Sequence, residues 1–140
     1  MLLPIQGKIL ALDLGTRRTG VAISDVKQTV AFARPEIEHK NTKELLEQIQ
    51  RLATSEPLTG LLLGRPTKLD GEATEQTRLV EEAAEALQTL GLPMEFMDER
   101  LSTQFAQNLH GFQTKESHHD SRAAQILLET HLSSLSSLGQ

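Results

Sequence analysis

The sequence predicts an α/β protein: a five-stranded mixed sheet with helices on both faces, built as one domain over residues 1–140. Three observations lead there. Within 8–24 a short apolar run reaches Asp13, crosses a Gly/Thr/Arg turn and returns as a second apolar run, the pattern of two buried strands in a hairpin. A third strand follows, and helical and strand patterns then alternate, which gives right-handed crossovers and hence a parallel part to the sheet. The chain of 140 residues is long enough for one full core, with no linker and no internal repeat to divide it.

Taken in order, residues 1–7 form a lead-in in which Pro4 and Gly7 oppose regular structure. Gly15 and Gly20 allow a tight turn or a close approach of backbone to ligand at the first hairpin. Residues 29–34 make the third strand, which Pro35 should stop. Asn41 with Glu44 three places on has the form of a helix start, and Leu45, Leu46, Ile49, Leu52 and Ala53 recur with helical period over 42–54. Residues 58–64 read as a buried strand despite Gly60, and 65–71 as a loop with two cations, Arg65 and Lys68. A helix over 74–90 should bury Leu79, Ala83, Ala86 and Leu90 before Gly91 and Pro93 end it. Residues 94–97 form a short strand running into Asp98-Glu99-Arg100. Ser102 or Thr103 can cap a helix holding Phe105, Ala106 and Leu109, and 111–119 is a polar loop expected to be mobile. Asp120 opens the last helix, with Ala123, Ala124, Leu127, Leu128 and Leu132 inward, and the Ser-rich tail 133–140 should fray.

Composition narrows the function. Four Phe with no Trp or Tyr leave few platforms for stacking single-stranded bases. The absence of cysteine excludes disulfides, thiolate zinc sites and a Cys nucleophile. No run is apolar enough to span a bilayer, and the composition predicts a cytoplasmic protein with no membrane partner. The formal charge of -5 argues against a general polyanion binder, so the placement of the cations matters more than their sum.

In a sheet of this kind the ligand site lies beyond the carboxyl ends of the parallel strands. Those ends deliver Asp13 with Arg17 and Arg18, then Arg65 with Lys68, then Asp98, Glu99 and Arg100. If the last helix brings Asp120 to the same edge, Asp13, Glu99 (or Asp98) and Asp120 form a carboxylate cluster, whose repulsion a hard divalent cation relieves. Two such ions about 4 Å apart can activate a water and stabilise the leaving oxygen in phosphodiester cleavage. The flanking cations would hold phosphates. Each acid also has an ordinary reading: Asp13 capping its turn, Asp98 and Glu99 as charge at a helix start, Asp120 as an N-cap. His118 and His119 with Asp120 make a poor transition-metal site, because adjacent side chains diverge.

Four stretches together resemble the YqgF (RuvX-like) family: Asp13-Leu14-Gly15-Thr16-Arg17-Arg18-Thr19-Gly20, residues 64–71, Asp98-Glu99-Arg100-Leu101-Ser102-Thr103, and residues 120–127. They span nearly the whole chain in order. The resemblance implies an RNase H-like fold and a cytoplasmic nuclease that processes the 5′ end of pre-16S ribosomal RNA, or a Holliday junction resolvase-like protein acting on branched DNA. It implies Asp13, Glu99 and Asp120 as catalytic and metal-binding, with Asp98 a rival to Glu99, and magnesium (or manganese) as the ion. Many members carry lysines just before the final Asp, where this chain has Glu116-Ser117-His118-His119; histidine grips phosphate less firmly near pH 7.

The reading is therefore metal-dependent hydrolysis of phosphodiester bonds, with Arg17, Arg18, Arg65, Lys68 and Arg100 positioning the backbone. Two rivals stand beside it. The Asp-x-Gly-Thr turn also resembles the phosphate loop of the actin, heat-shock chaperone and sugar-kinase group, but 140 residues leave no second lobe to close over a nucleotide. A non-catalytic RNA-binding factor of ribosome assembly could retain the acids for folding. Action on a four-way junction would favour a homodimer.

Overall fold

The computed structural model describes residues 3–65, 75–99 and 119–138, and for 119–120 and 135–138 the backbone alone. Strands β1 (Lys8–Asp13), β2 (Arg18–Ser24) and β3 (Ala31–Glu38) are followed by helix α1 (Thr42–Ser55), strand β4 (Leu58–Arg65), helix α2 (Glu75–Leu87), strand β5 (Met94–Asp98) and helix α3 (His119–Leu138). The sheet order is β3-β2-β1-β4-β5. The pairs β1–β2 and β2–β3 are antiparallel, and β1–β4 and β4–β5 are parallel. The five-stranded mixed sheet expected from the sequence is thus present. The carboxyl ends of β1, β3, β4 and β5 and the start of β2 all meet at one edge.

The two faces differ in side-chain size, and the alternation along each strand decides which helix each takes. Leu10, Leu12, Val21, Ile23, Leu61 and Leu63 face one way, and pack with Leu45 and Ile49 of α1 and with Val80, Ala83 and Leu87 of α2. Ile9, Ala11, Ala22, Ala31 and Leu62 face the other way, against Ala124, Leu127, Leu128 and Leu132 of α3. Alanines on the second face let a single helix lie close to the sheet. Central β1 and β4 are buried on both faces, so truncating Leu12 or Leu62, each with no exposed surface, should cost about 2–5 kcal/mol.

Several boundaries differ from expectation, each for a physical reason. β3 continues through Pro35 to Glu38. It is an edge strand, and the register shifts between Thr19↔Ile37 and Val21↔Arg34, so Pro35 falls in a bulge where no ladder donor is required. α2 buries Thr77, Val80, Ala83, Ala84 and Leu87, with Leu79, Ala86 and Leu90 only partly covered. Its apolar residues occur in adjacent pairs, which leaves the phase ambiguous from sequence. Ala123 is exposed, because the inward face of α3 runs through Ser121, Ala124, Leu128 and His131. The helix also persists to Leu138, past the serines expected to fray it, and the Ser134 hydroxyl donates back to the His131 carbonyl at 2.9 Å. The N-cap of α1 is as expected: the Glu44 amide donates to Asn41 Oδ1 at 2.9 Å, and Glu44 Oε1 accepts from the Lys40 amide at 2.8 Å. The helix around Phe105, and the 111–119 loop apart from His119, lie outside the described residues.

Candidate functional site

Asp13 ends β1 and pairs with Gly20 across the hairpin. By alternation it occupies the α3 face, following Ile9 and Ala11. The turn after it is tight: a Cβ on Gly15 would meet the Arg18 carbonyl oxygen at 2.3 Å, so only glycine allows the chain to close there. Two contacts from other elements hold this turn. Gln76 Nε2 of α2 donates to the Leu14 carbonyl at 2.5 Å, and the His39 amide donates to the Arg17 carbonyl at 2.9 Å.

The parallel ladder pairs Leu12 with Leu63 and Gly64 with Met97, which lines up the ends of β1, β4 and β5. A Cβ on Gly64 would lie 3.4 Å from Glu99 Cγ, 3.5 Å from Glu99 Oε1 and 3.4 Å from Leu127 Cδ2. The Glu99 carboxylate therefore covers Gly64, on the α3 face and on the strand adjacent to Asp13. Asp98 has the opposite parity: Met94 and Phe96 of the same strand pack in the cluster beneath α1 and α2. Of the two adjacent acids, Glu99 shares the face of Asp13.

Asp120 lies in the first turn of α3, and the residue after it fixes that turn to the sheet. The Ser121 hydroxyl accepts from the Val21 amide at 3.3 Å and donates to the Arg34 carbonyl. Val21 and Arg34 are register partners at the β2–β3 bulge, so the hydroxyl sits inside the ladder where the bulge opens it. Val21 follows Gly20, the partner of Asp13. The backbone of Asp120 is thereby held one residue from a contact that lies one residue from the Asp13 pair. Nothing in the sequence singles out Ser121 beyond its place in a first helical turn.

Arg17, Arg18 and Arg65 stand at this same edge. Arg18 Nη1 lies 3.8 Å from Glu36 Oε1, and the Arg65 guanidinium is stacked 4.2 Å from the centroid of the Phe96 ring. Lys68 and Arg100 lie outside the described residues. His39, which the sequence reading passed over, is 4 % exposed, with Nε2 2.8 Å from Thr19 Oγ1. Burial lowers its pKa, and the Glu44 carboxylate opposes that shift.

Among the described residues no three His, Asp or Glu side chains gather as a metal site. Asp13 at the end of β1 and Glu99 just beyond β5, with the end of β4 between them, are oxygen donors on one face of the sheet, and oxygen donors suit magnesium or manganese and not a thiophilic metal. Among the described residues no helix is long and apolar enough to cross a membrane.

Comparison with known proteins agrees with this architecture. A family model described as RuvX, Holliday junction resolvase, matches residues 7–134. A Maridesulfovibrio salexigens protein is 35% identical over 135 residues, covering 89% of this chain and 97% of its own. A Rickettsia rickettsii protein is 32% identical over 136 residues, covering 93% and 88%. Both are provisionally named pre-16S rRNA nuclease. Among solved structures, Thermus thermophilus RuvC in complex with a Holliday junction substrate superposes with a TM-score of 0.64 at 11% identity, over 93% of this chain and 96% of that one. At that identity the likeness speaks for the fold alone, an RNase H-like α/β architecture. With its family matched across nearly its full length, the chain belongs to the RuvX family.

Proposed function

We propose that this protein is a metal-dependent endonuclease that hydrolyses a phosphodiester bond of ribosomal RNA precursor, at the 5′ end of pre-16S rRNA. The observation that carries the reading is the placement of the Glu99 carboxylate over Gly64, on the face that Asp13 shares and to which Ser121 ties the turn bearing Asp120. The names of the relatives above 30% identity support ribosomal RNA precursor as the substrate.

Asp13, Glu99 and Asp120 would hold the ion, with Asp98 on the other face left outside the set. A divalent cation held there would supply an activated water and charge stabilisation for the leaving oxygen. The remaining work is done by the chain. Arg17, Arg18 and Arg65, with Lys68 and Arg100 from the adjoining motifs, would seat the flanking phosphates. Gly64 leaves room for the Glu99 side chain. The Gly15 turn, braced by Gln76 and His39, keeps Asp13 and the arginines in fixed relation, which limits the orientational cost of the reaction.

Branched DNA is the second reading, favoured by the family's description as a Holliday junction resolvase. Symmetric cutting of a four-way junction would require a dimer. One experiment separates the two: cleavage of a pre-16S RNA fragment and of a DNA four-way junction, side by side with magnesium, by the parent and by Asp13→Asn. The RNA should be cut by the parent alone. Equal cutting of RNA by both proteins refutes the assignment, and cutting of the junction alone selects the second reading.

A further inference from the structure

At the outer corner of the same edge, β2, β3 and the start of α1 enclose a groove of about 400 Å³ lined by Arg17, Arg18, Glu38, His39, Lys40 and Glu44. Its three cations outnumber its two acids, a small positive excess on a chain whose formal charge is -5, with Arg18 also 3.8 Å from Glu36 Oε1. Its two acids are not equivalent. Glu44 Oε1 is engaged by the Lys40 amide in the capping of α1, whereas Glu38 closes the edge strand opposite Arg18. The groove wall carries a second feature. His39 is 4 % exposed, its Nε2 meets Thr19 Oγ1, and its Nδ1 has no hydrogen-bond partner among the described residues. The His39 ring lines the groove while its Nδ1 is itself buried, so the ring senses what occupies the groove without offering that nitrogen to it. The start of α1 adds amide groups and the positive end of its dipole.

We infer that this corner is a backbone-phosphate subsite for the nucleic-acid strand, separate from the carboxylate site and reached by the strand as it leaves Asp13 along Arg17 and Arg18 toward Lys40 and His39. The inference rests on the nuclease reading and adds a direction to it: the strand runs from β5 and β4 across β1 and out over β3 and α1. A short product or a dinucleotide would fill the carboxylate site without reaching the corner, and a longer strand would engage both.

The test is equilibrium binding of a fluorescein-labelled single-stranded RNA and of a labelled dinucleotide, over a series of salt concentrations, to Asp13→Asn and to the same protein carrying Lys40→Glu or Lys27→Glu. Lys27 is exposed in the β2–β3 turn at the opposite edge, so its reversal makes the same change in net charge away from the groove. Lys40→Glu should weaken the long strand by about tenfold and lower its salt slope by about one, while Lys27→Glu changes it far less. The dinucleotide should bind both alike. Proton NMR of the His39 ring should move on addition of the long RNA, and inorganic phosphate should reproduce part of that shift if the subsite reads phosphate alone. Equal weakening by Lys40→Glu and Lys27→Glu, or an unmoved His39 ring in an otherwise saturated complex, overturns the subsite. Neither result touches the nuclease reading, which stands or falls on cleavage by Asp13→Asn.

Discussion

The chain holds two hairpin turns that each follow a strand ending near an aspartate, and they use that aspartate differently. At the β2–β3 turn, Asp25 spends its carboxylate locally: Oδ1 accepts from the Thr29 and Val30 amides at 2.7 and 2.8 Å, and Oδ2 from the Thr29 hydroxyl at 2.7 Å. The Thr29 hydroxyl first, then the Val30 amide, lowers its pKa to about 2. At the β1–β2 turn, Asp13 stands on the α3 face of the central strand, beside the strand whose Gly64 lies under Glu99. The turn beyond it is closed by Gly15, Gln76 and His39. The two aspartates thus stand in different surroundings, one inside its own turn's hydrogen bonds and one at the sheet edge where β4 also ends, a difference set by the sheet order.

Exchanging the roles of the two aspartates is the sharpest way to break this comparison. Asp13→Asn should abolish cleavage, by roughly a thousandfold or more, as expected when several kcal/mol of charge stabilisation is lost. Its thermal midpoint should stay close to that of the parent, read by calorimetry alongside the cleavage rate. Asp25→Asn should do the reverse, losing a few degrees of thermal stability with cleavage retained. Next in size is a filled Gly64. Gly64→Val would intrude on the Glu99 Cγ and Leu127 Cδ2 positions and should slow cleavage by about tenfold or more. It should also cost about 1–3 kcal/mol of stability from overpacking, and unaltered cleavage would show that the Glu99 position is irrelevant. The smallest effect is in pH. Because the folded pKa of Asp25 lies below the unfolded one, its contribution is present above about pH 4 and is lost as pH falls toward about 2. The stability gap between parent and Asp25→Asn should close across that interval in acid titrations followed by circular dichroism, and a constant gap contradicts the turn's hydrogen bonding.

Much of this was legible from local patterns. The hairpin over 8–24, the capping of α1 by Asn41 and Glu44, and the carboxyl-edge grouping of Asp13, Arg17, Arg18 and Arg65 follow from periodicity and turn chemistry, which act over a few residues. What escaped depends on pairing between distant strands. Pro35 reads as a strand stop until β3 is known to be an edge and Gly20 to face a bulge. Ser121 and His39 look ordinary because their partners, Val21, Arg34 and Thr19, are far away in sequence. The choice between Asp98 and Glu99 turns on strand parity and on the missing side chain of Gly64, which no spacing rule encodes.

That choice also gives the most direct test. Manganese binding, followed by electron paramagnetic resonance on the whole protein, should be compared among the parent, Asp13→Asn, Glu99→Gln and Asp98→Asn. The shared-face arrangement predicts that the first two substitutions each weaken binding severely while Asp98→Asn binds as the parent does. Loss of manganese in Asp98→Asn, with Glu99→Gln unaffected, would contradict it.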